Sequence, residues 1–216
     1  MAANAAKVVE LGAPAIDLNF GCPAKTVNRH RGGSVLLDEP ETVHQLVKAV
    51  RDAVPSHIPV SAKMRLGYLD ENHTLDNAHA IEDAGANWLT VHARTKADGY
   101  TPPAYWEKIQ PITEALKINV IANGEIWNNA DAKACLQQSN CQDIMIGRGA
   151  VPLSAEVAAM LPADGIKATL ANPRMAWMGD KMATQAKQWT FDGLEAALVA
   201  LEHADGALKG IVPGGD

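Results

Sequence analysis

The chain has 216 residues, 47% of them hydrophobic and 20% charged, which suits a buried core and excludes a disordered or fibrous polymer. It is short for a complete (βα)₈ barrel, which takes roughly 250 residues. A net charge of −6 excludes bulk attraction to nucleic acid but leaves room for a local basic face.

Residues 2–11 read as a helix, with Gly12 to end it. Residues 15–20 (AIDLNF) form a short apolar strand that runs into Gly21-Cys22-Pro23. Lys25, Arg29, His30 and Arg31 then give a basic loop, closed by Gly32-Gly33. Val43, Leu46, Val47 and Val50 recur at helical spacing within a helix over 40–54. The spacing predicts further strands at 59–66, 88–92, 118–122 and 141–147, separated by helices at 75–84, 105–116 and 129–138. Beyond Gly149 the sequence becomes Ala-rich and helical, with Pro162 to Gly165 and Asn172-Pro173 as interruptions. Five strands alternating with four helices predict an α/β fold with parallel strands and right-handed crossovers. Ile16, Val60, Leu89, Val120 and Ile144 are the expected interior set. The sheet is expected to stay open, with edges near Ala15 and Cys141. A first helix without a strand before it predicts a start truncated relative to a natural domain.

Cys22, Cys135 and Cys141 are an odd number of cysteines at no metal-ligand spacing, which fits a reducing cytosol. No apolar run reaches the ~18 residues of a membrane span, and the first residues lack the basic-then-apolar pattern of a leader. The expected location is cytoplasmic, with no membrane association and no metal.

Polar residues collect at the C-terminal ends of the strands, the edge where parallel α/β folds build sites. Asn19, Gly21 and Cys22 follow the first strand, and Lys63 and Arg65 end the second. His92, Arg94 and Thr95 follow the third, Asn123, Gly124 and Glu125 the fourth, and Gly147, Arg148 and Gly149 the fifth. Gly-Arg-Gly suits a phosphate cradle, because backbone N–H groups approach the anion and Arg148 adds a charge-assisted pair. The plain alternative is a flexible turn. Lys63 either meets an anion or snorkels outward. His92 either donates to a cofactor or is a satisfied core histidine. A thiol in an ordinary environment is protonated at neutral pH, so Cys22 suits a proton donor better than a nucleophile. A buried structural cysteine is the alternative, and it is the reading for Cys135 and Cys141. The basic loop at 25–31 either touches RNA phosphate or is simply solvated.

The blocks LNFGCPAKTVN (18–28), SAKMRLG (61–67), TVHARTK (90–96), VIANGEIW (120–127) and IMIGRGA (144–150) resemble the tRNA-dihydrouridine synthase family. The NGEIW form is most similar to its bacterial C subfamily. The resemblance implies strands four to eight of a (βα)₈ (TIM) barrel over residues 1–150. It also implies a remnant of a helical tRNA-binding domain over 151–216, where PRMAW (173–177) and KQW (187–189) resemble it. The implied activity is FMN-dependent reduction of uridine in tRNA to dihydrouridine, with NADPH or NADH as electron donor and D-loop uridine 16 as candidate target. By match, Cys22 is the general acid, and Asn19 and Arg65 hold the uracil. Lys63 and His92 contact the flavin, and Asn123, Gly124, Glu125, Gly147 and Arg148 bind its ribityl-phosphate. From residue 151 onward five Lys or Arg stand against eight Asp or Glu, a poor surface for RNA. The alternatives are an FMN barrel acting on a small free pyrimidine and a fragment without activity of its own.

Overall fold

The computed structural model describes residues 1–150, within the first of the two units into which the chain divides, Met1–Ala155. The helical segment expected over 151–216 lies outside the described residues. The elements are α1 (Ala2–Glu10), β1 (Ile16–Phe20), α2 (Lys25–Arg29), α3 (Pro40–Ala53), β2 (Val60–Arg65), α4 (Thr74–Asp83), β3 (Trp88–His92), α5 (Gln110–Ala115), β4 (Asn119–Asn123), α6 (Asn129–Ser139) and β5 (Asp143–Met145). Short 3₁₀ turns occupy Gly33–Asp38 and Trp106–Lys108.

The five strands form one sheet in the order β1-β2-β3-β4-β5, every pair parallel. Each return crosses through a helix, as in the repeating unit of a (βα)₈ barrel. β1 and β5 each have a single strand neighbour among the described residues. No described helix is long and apolar enough to cross a membrane.

The core lies between the sheet and its helices. In α3, Val43, Val47 and Val50 form one face and are 0% exposed. Each such side chain removed from water contributes roughly 1.5–3 kcal/mol. Pro40 opens the helix, where a missing N–H costs nothing. At its end the Arg51 guanidinium donates to the carbonyls of Val54, Pro55 and Ile58 at 2.7–2.9 Å, satisfying acceptors the helix cannot. In α6, Asn128 accepts from Asp131 N–H at 2.9 Å to cap the first turn, and Asn140 closes the helix at φ 56°.

The expected interior set is reversed. Val60, Leu89 and Val120 are 0%, 0% and 3% exposed, in strands that pack against α3, α4 and α5. Ile16 and Ile144 share their parity, half-buried because they lie in the edge strands. The other parity (Asn19, Lys63, Arg65, His92, Asn123, Met145) lines a cavity on the opposite face. A shift of one residue exchanges faces, and strands rich in apolar residues do not mark which face is which.

Three local expectations also change. The helix expected over 105–116 is a 3₁₀ turn followed by the short α5, because Pro111 fits only a helix's first turn. The strand expected over 141–147 pairs only at Asp143–Met145. The basic loop is largely a helix, α2, and Arg31 holds Glu39 in a fork with both oxygens at 2.7 Å.

Candidate active site

The strands end flush. Arg65 pairs in register with His92, His92 with Asn123, and Asn123 with Met145. One step below, Asn19 pairs with Lys63 and Lys63 with Thr90. Polar side chains from β1 to β4, with Met145 beside them on β5, therefore emerge at nearly one level, and the loops that follow wall them in. A cavity of about 470 Å³ gathers every site residue expected from the sequence, from Asn19 and Cys22 after β1 to Gly147 and Arg148 after β5. That volume lies within the range of sites for small molecules and cofactors.

Positive charge dominates this cavity, although the chain as a whole is acidic. Lys63, Arg65 and Arg148 line it, with Arg94 buried beside it, and the carboxylate among its lining residues is Glu125. Burial, then the Arg65 charge, brings the Lys63 ammonium down to about 8, with Asp17 pulling the other way. No described residue offers that ammonium a hydrogen bond or an ion pair. Burial, and then the charges of Arg65, Lys63, Arg94 and Arg148, push the His92 imidazole down to about 3. His92 is therefore neutral at physiological pH, and its buried Nδ1 has no partner among the described residues.

Arg65 is 3% exposed and ties loops together. Its Nε donates to Gly21 O at 2.9 Å, and its Nη1 to Thr95 O at 3.0 Å and Gly99 O at 2.9 Å. Asn19 accepts the Gly21 N–H at 2.9 Å, and Asn123 donates to Met145 O at 2.8 Å. Gly124 has φ +122°, and a Cβ there would lie 3.0 Å from the His92 ring. Only glycine lets the backbone pass so close to the imidazole. Cys22 is half-buried beside these groups.

Glu125 sits at φ 50°, and its side chain is 14% exposed. Its Oε1 lies 3.0 Å from Arg94 and 3.2 Å from Arg148, while Trp127 Nε1 donates to Oε2 at 3.0 Å. Burial raises its pKa, but the Trp127 hydrogen bond, the Arg94 ion pair and the charge of Arg148 hold the carboxyl below the usual range. As an acceptor tied to both arginines, its carboxylate orients cations that can face an anion.

The sequence carried no signal for Tyr100. Its ring lies 5.1 Å from the guanidinium carbons of both Arg65 and Arg148 and 6.2 Å from the His92 ring, so it sits between the two arginines. Trp127 flanks Arg148 at 5.3 Å. Both aromatics lie in loops, where no periodicity marks them. Arg94 was visible only as a polar residue at a strand end; its Nε donates to Pro103 O at 3.0 Å and holds the loop that carries Tyr100. Lys25, Arg29 and His30 are exposed and do not line the cavity.

Comparison with known proteins bears on this arrangement. The chain is 58% identical over 153 residues to a tRNA-dihydrouridine(16) synthase of Shewanella oneidensis, covering 71% of this chain and 49% of that one. It is 59% identical over 151 residues to the tRNA-dihydrouridine(16) synthase of Pseudomonas syringae pv. tomato, covering 70% of this chain and 48% of that one. The chain thus spans about half the length of these curated relatives. Among solved structures, a putative dihydrodipicolinate synthase family protein from Coccidioides immitis matches with TM-score 0.54 at 18% identity, over 74% of this chain and 50% of that one. A putative deoxyribose-phosphate aldolase from the same organism matches with TM-score 0.52 at 15% identity, over 73% and 57%. These likenesses concern the fold alone, and together with the parallel five-stranded sheet they identify part of a TIM barrel. The family model for dihydrouridine synthase (Dus) matches residues 1–168, and the chain belongs to that family.

Proposed function

We propose that this chain carries the cofactor and proton-donor side of an FMN-dependent reduction of uridine to 5,6-dihydrouridine in tRNA, performed in the cytoplasm. The observation that carries the reading is a half-buried thiol sharing one cavity with a surplus of cations. A Lys63 ammonium and a His92 Nδ1 without partners among the described residues, and open space in front of Gly147, suit a ligand with an electron-rich ring edge and an anionic tail. FMN fits that description. Lys63 and His92 would hold the ring edge. The turns at 123–125 and 147–149 would hold the ribityl-phosphate, with Arg148 facing the phosphate and Glu125 orienting Arg148.

The bound flavin, reduced by NADPH or NADH, would supply the hydride for C6 of the uracil. Asn19 and Arg65 orient the base, and Cys22 gives its S–H proton to C5, so that the C5–C6 double bond becomes single. The thiolate left on Cys22 regains a proton from water. The uridine must leave its stack to reach a strand-end cavity. The relatives' names, which specify position 16, support uridine 16 as target. The tRNA-binding role of residues 151–216 rests on the sequence resemblance alone.

Cys22→Ala decides the reading. It is expected to retain FMN binding and flavin reduction by NADPH while dihydrouridine in tRNA, measured by nucleoside mass spectrometry, disappears. Cys22→Ser should fall between, since a hydroxyl occupies the same place but is a far weaker acid. Dihydrouridine formation by Cys22→Ala at the wild-type rate would remove the thiol from the chemistry.

A further inference from the structure

Behind Cys22 lies a polar cluster that does not line the cavity. The Cys22 carbonyl oxygen accepts the Ser34 N–H at 3.0 Å, the Ser34 hydroxyl at 2.9 Å and Asn28 Nδ2 at 3.0 Å. Asn28 uses the same amide nitrogen to donate to Gly32 O at 2.8 Å. The Ser34 hydroxyl has one proton, and the contact at 2.9 Å to Cys22 O is the better placed one against 3.3 Å to Asn28 Oδ1. Both side chains are buried, Asn28 at 7% exposed and Ser34 at 0%. Gly33, at φ +65°, leaves no space behind the cysteine, since a Cβ there would lie 2.7 Å from Cys22 O and 2.9 Å from Cys22 Cβ.

We propose that Asn28 and Ser34 are positioning residues for the Cys22 thiol. The inference rests on Cys22 as proton donor in the reaction above. Closing the turn requires one hydrogen bond, and the Ser34 N–H provides it. Two further buried donors on the same oxygen, which has only two lone pairs, restrain the tilt of the Cys22–Pro23 peptide plane. On the other side Arg65 holds Gly21 O and Asn19 holds Gly21 N–H. With the backbone fixed on both sides, the reach of Sγ is set by its χ1 alone. A proton donor needs this, because a displacement of about 1 Å in a catalytic group costs on the order of 100-fold in rate.

The test uses the full chain and the rate at which iodoacetamide alkylates Cys22, read by peptide mass spectrometry over a neutral to alkaline pH series. Buried Cys135 and Cys141 report unfolding in the same sample. Ser34→Ala removes one donor and keeps the backbone N–H; Asn28→Ala removes the other. Each is expected to speed Cys22 alkylation about five- to tenfold, the equivalent of one net hydrogen bond, while Cys135 and Cys141 stay unlabelled. Where dihydrouridine formation is followed, kcat should fall with KM for tRNA unchanged. Cys22 labelling at the wild-type rate in both variants overturns the inference. If Asn28→Ala labels all three cysteines it has unfolded, and Ser34→Ala decides by the same criterion. Uniform labelling in Ser34→Ala as well means that the pair holds the fold and not the thiol, which also overturns it. Persistent activity of Cys22→Ala would remove the proton-donor role and leave the labelling result standing, so the two failures are told apart.

Discussion

The Lys63 ammonium and the His92 imidazole are both disfavoured as cations, and they titrate in separate windows. Lys63 falls from its ordinary 10.5 to about 8, so between those values the unfolded chain holds more protons than the folded one. Its contribution to stability is complete above 10.5 and is lost as pH falls through about 8. A bound anion restores the charged form and opposes this shift. Lys63 should therefore react with dilute acetic anhydride near pH 8 faster than the exposed Lys48 and Lys133, and saturating FMN should protect it; equal labelling of all three would contradict the desolvation. His92 falls from 6.5 to about 3, and its contribution is lost as pH falls through that lower window. Thermal melts of His92→Gln should accordingly show a shallower loss of stability on acidification than wild type, and parallel curves would place the acid sensitivity elsewhere.

At the scale of elements, the turn after β4 and the start of α6 separate two kinds of cost. Gly124→Ala forces a Cβ at φ +122° against the His92 ring, which should cost about 1–3 kcal/mol in a denaturant melt and weaken FMN binding. Asn128→Ala removes the cap on Asp131 N–H and should cost about 1 kcal/mol with no change in FMN affinity. Loss of FMN binding in Asn128→Ala would mean that α6 reaches the site. The alternation of strand and helix, and the polar residues at or just beyond the strand ends, were legible because crossovers and site placement both impose order on the sequence. The inward face was not, since Ile16-Asp17-Leu18-Asn19 reads equally well from either side until the helices choose one. Nor was α2, because Lys25-Thr26-Val27-Asn28-Arg29 is too short to show a helical period. Tyr100 is held at the cavity by loop contacts, among them the carbonyls of Thr95 and Gly99 that Arg65 grips and the Pro103 carbonyl that Arg94 holds.

For the molecule as a whole, the parallel sheet has β1 and β5 at its edges, with no further strand paired to either among the described residues. Such edges recruit further strands. The 216-residue chain expressed by itself is expected to self-associate as its concentration rises, measured by sedimentation velocity. A monodisperse monomer with stoichiometric FMN would show that residues 151–216 or another segment close the sheet. The flush row of strand ends is also a ruler. Neighbouring strands stand about 4.8 Å apart, so four gaps separate the thiol side from the Gly147-Arg148 side by ~19 Å along a flat sheet and by less across a curved one. No single pyrimidine is long enough to touch both ends. An occupant reaching from one to the other must be extended, or two molecules must lie end to end. The same row that makes the pocket polar thus sets a length for its occupants: a small free base would leave part of the span unfilled.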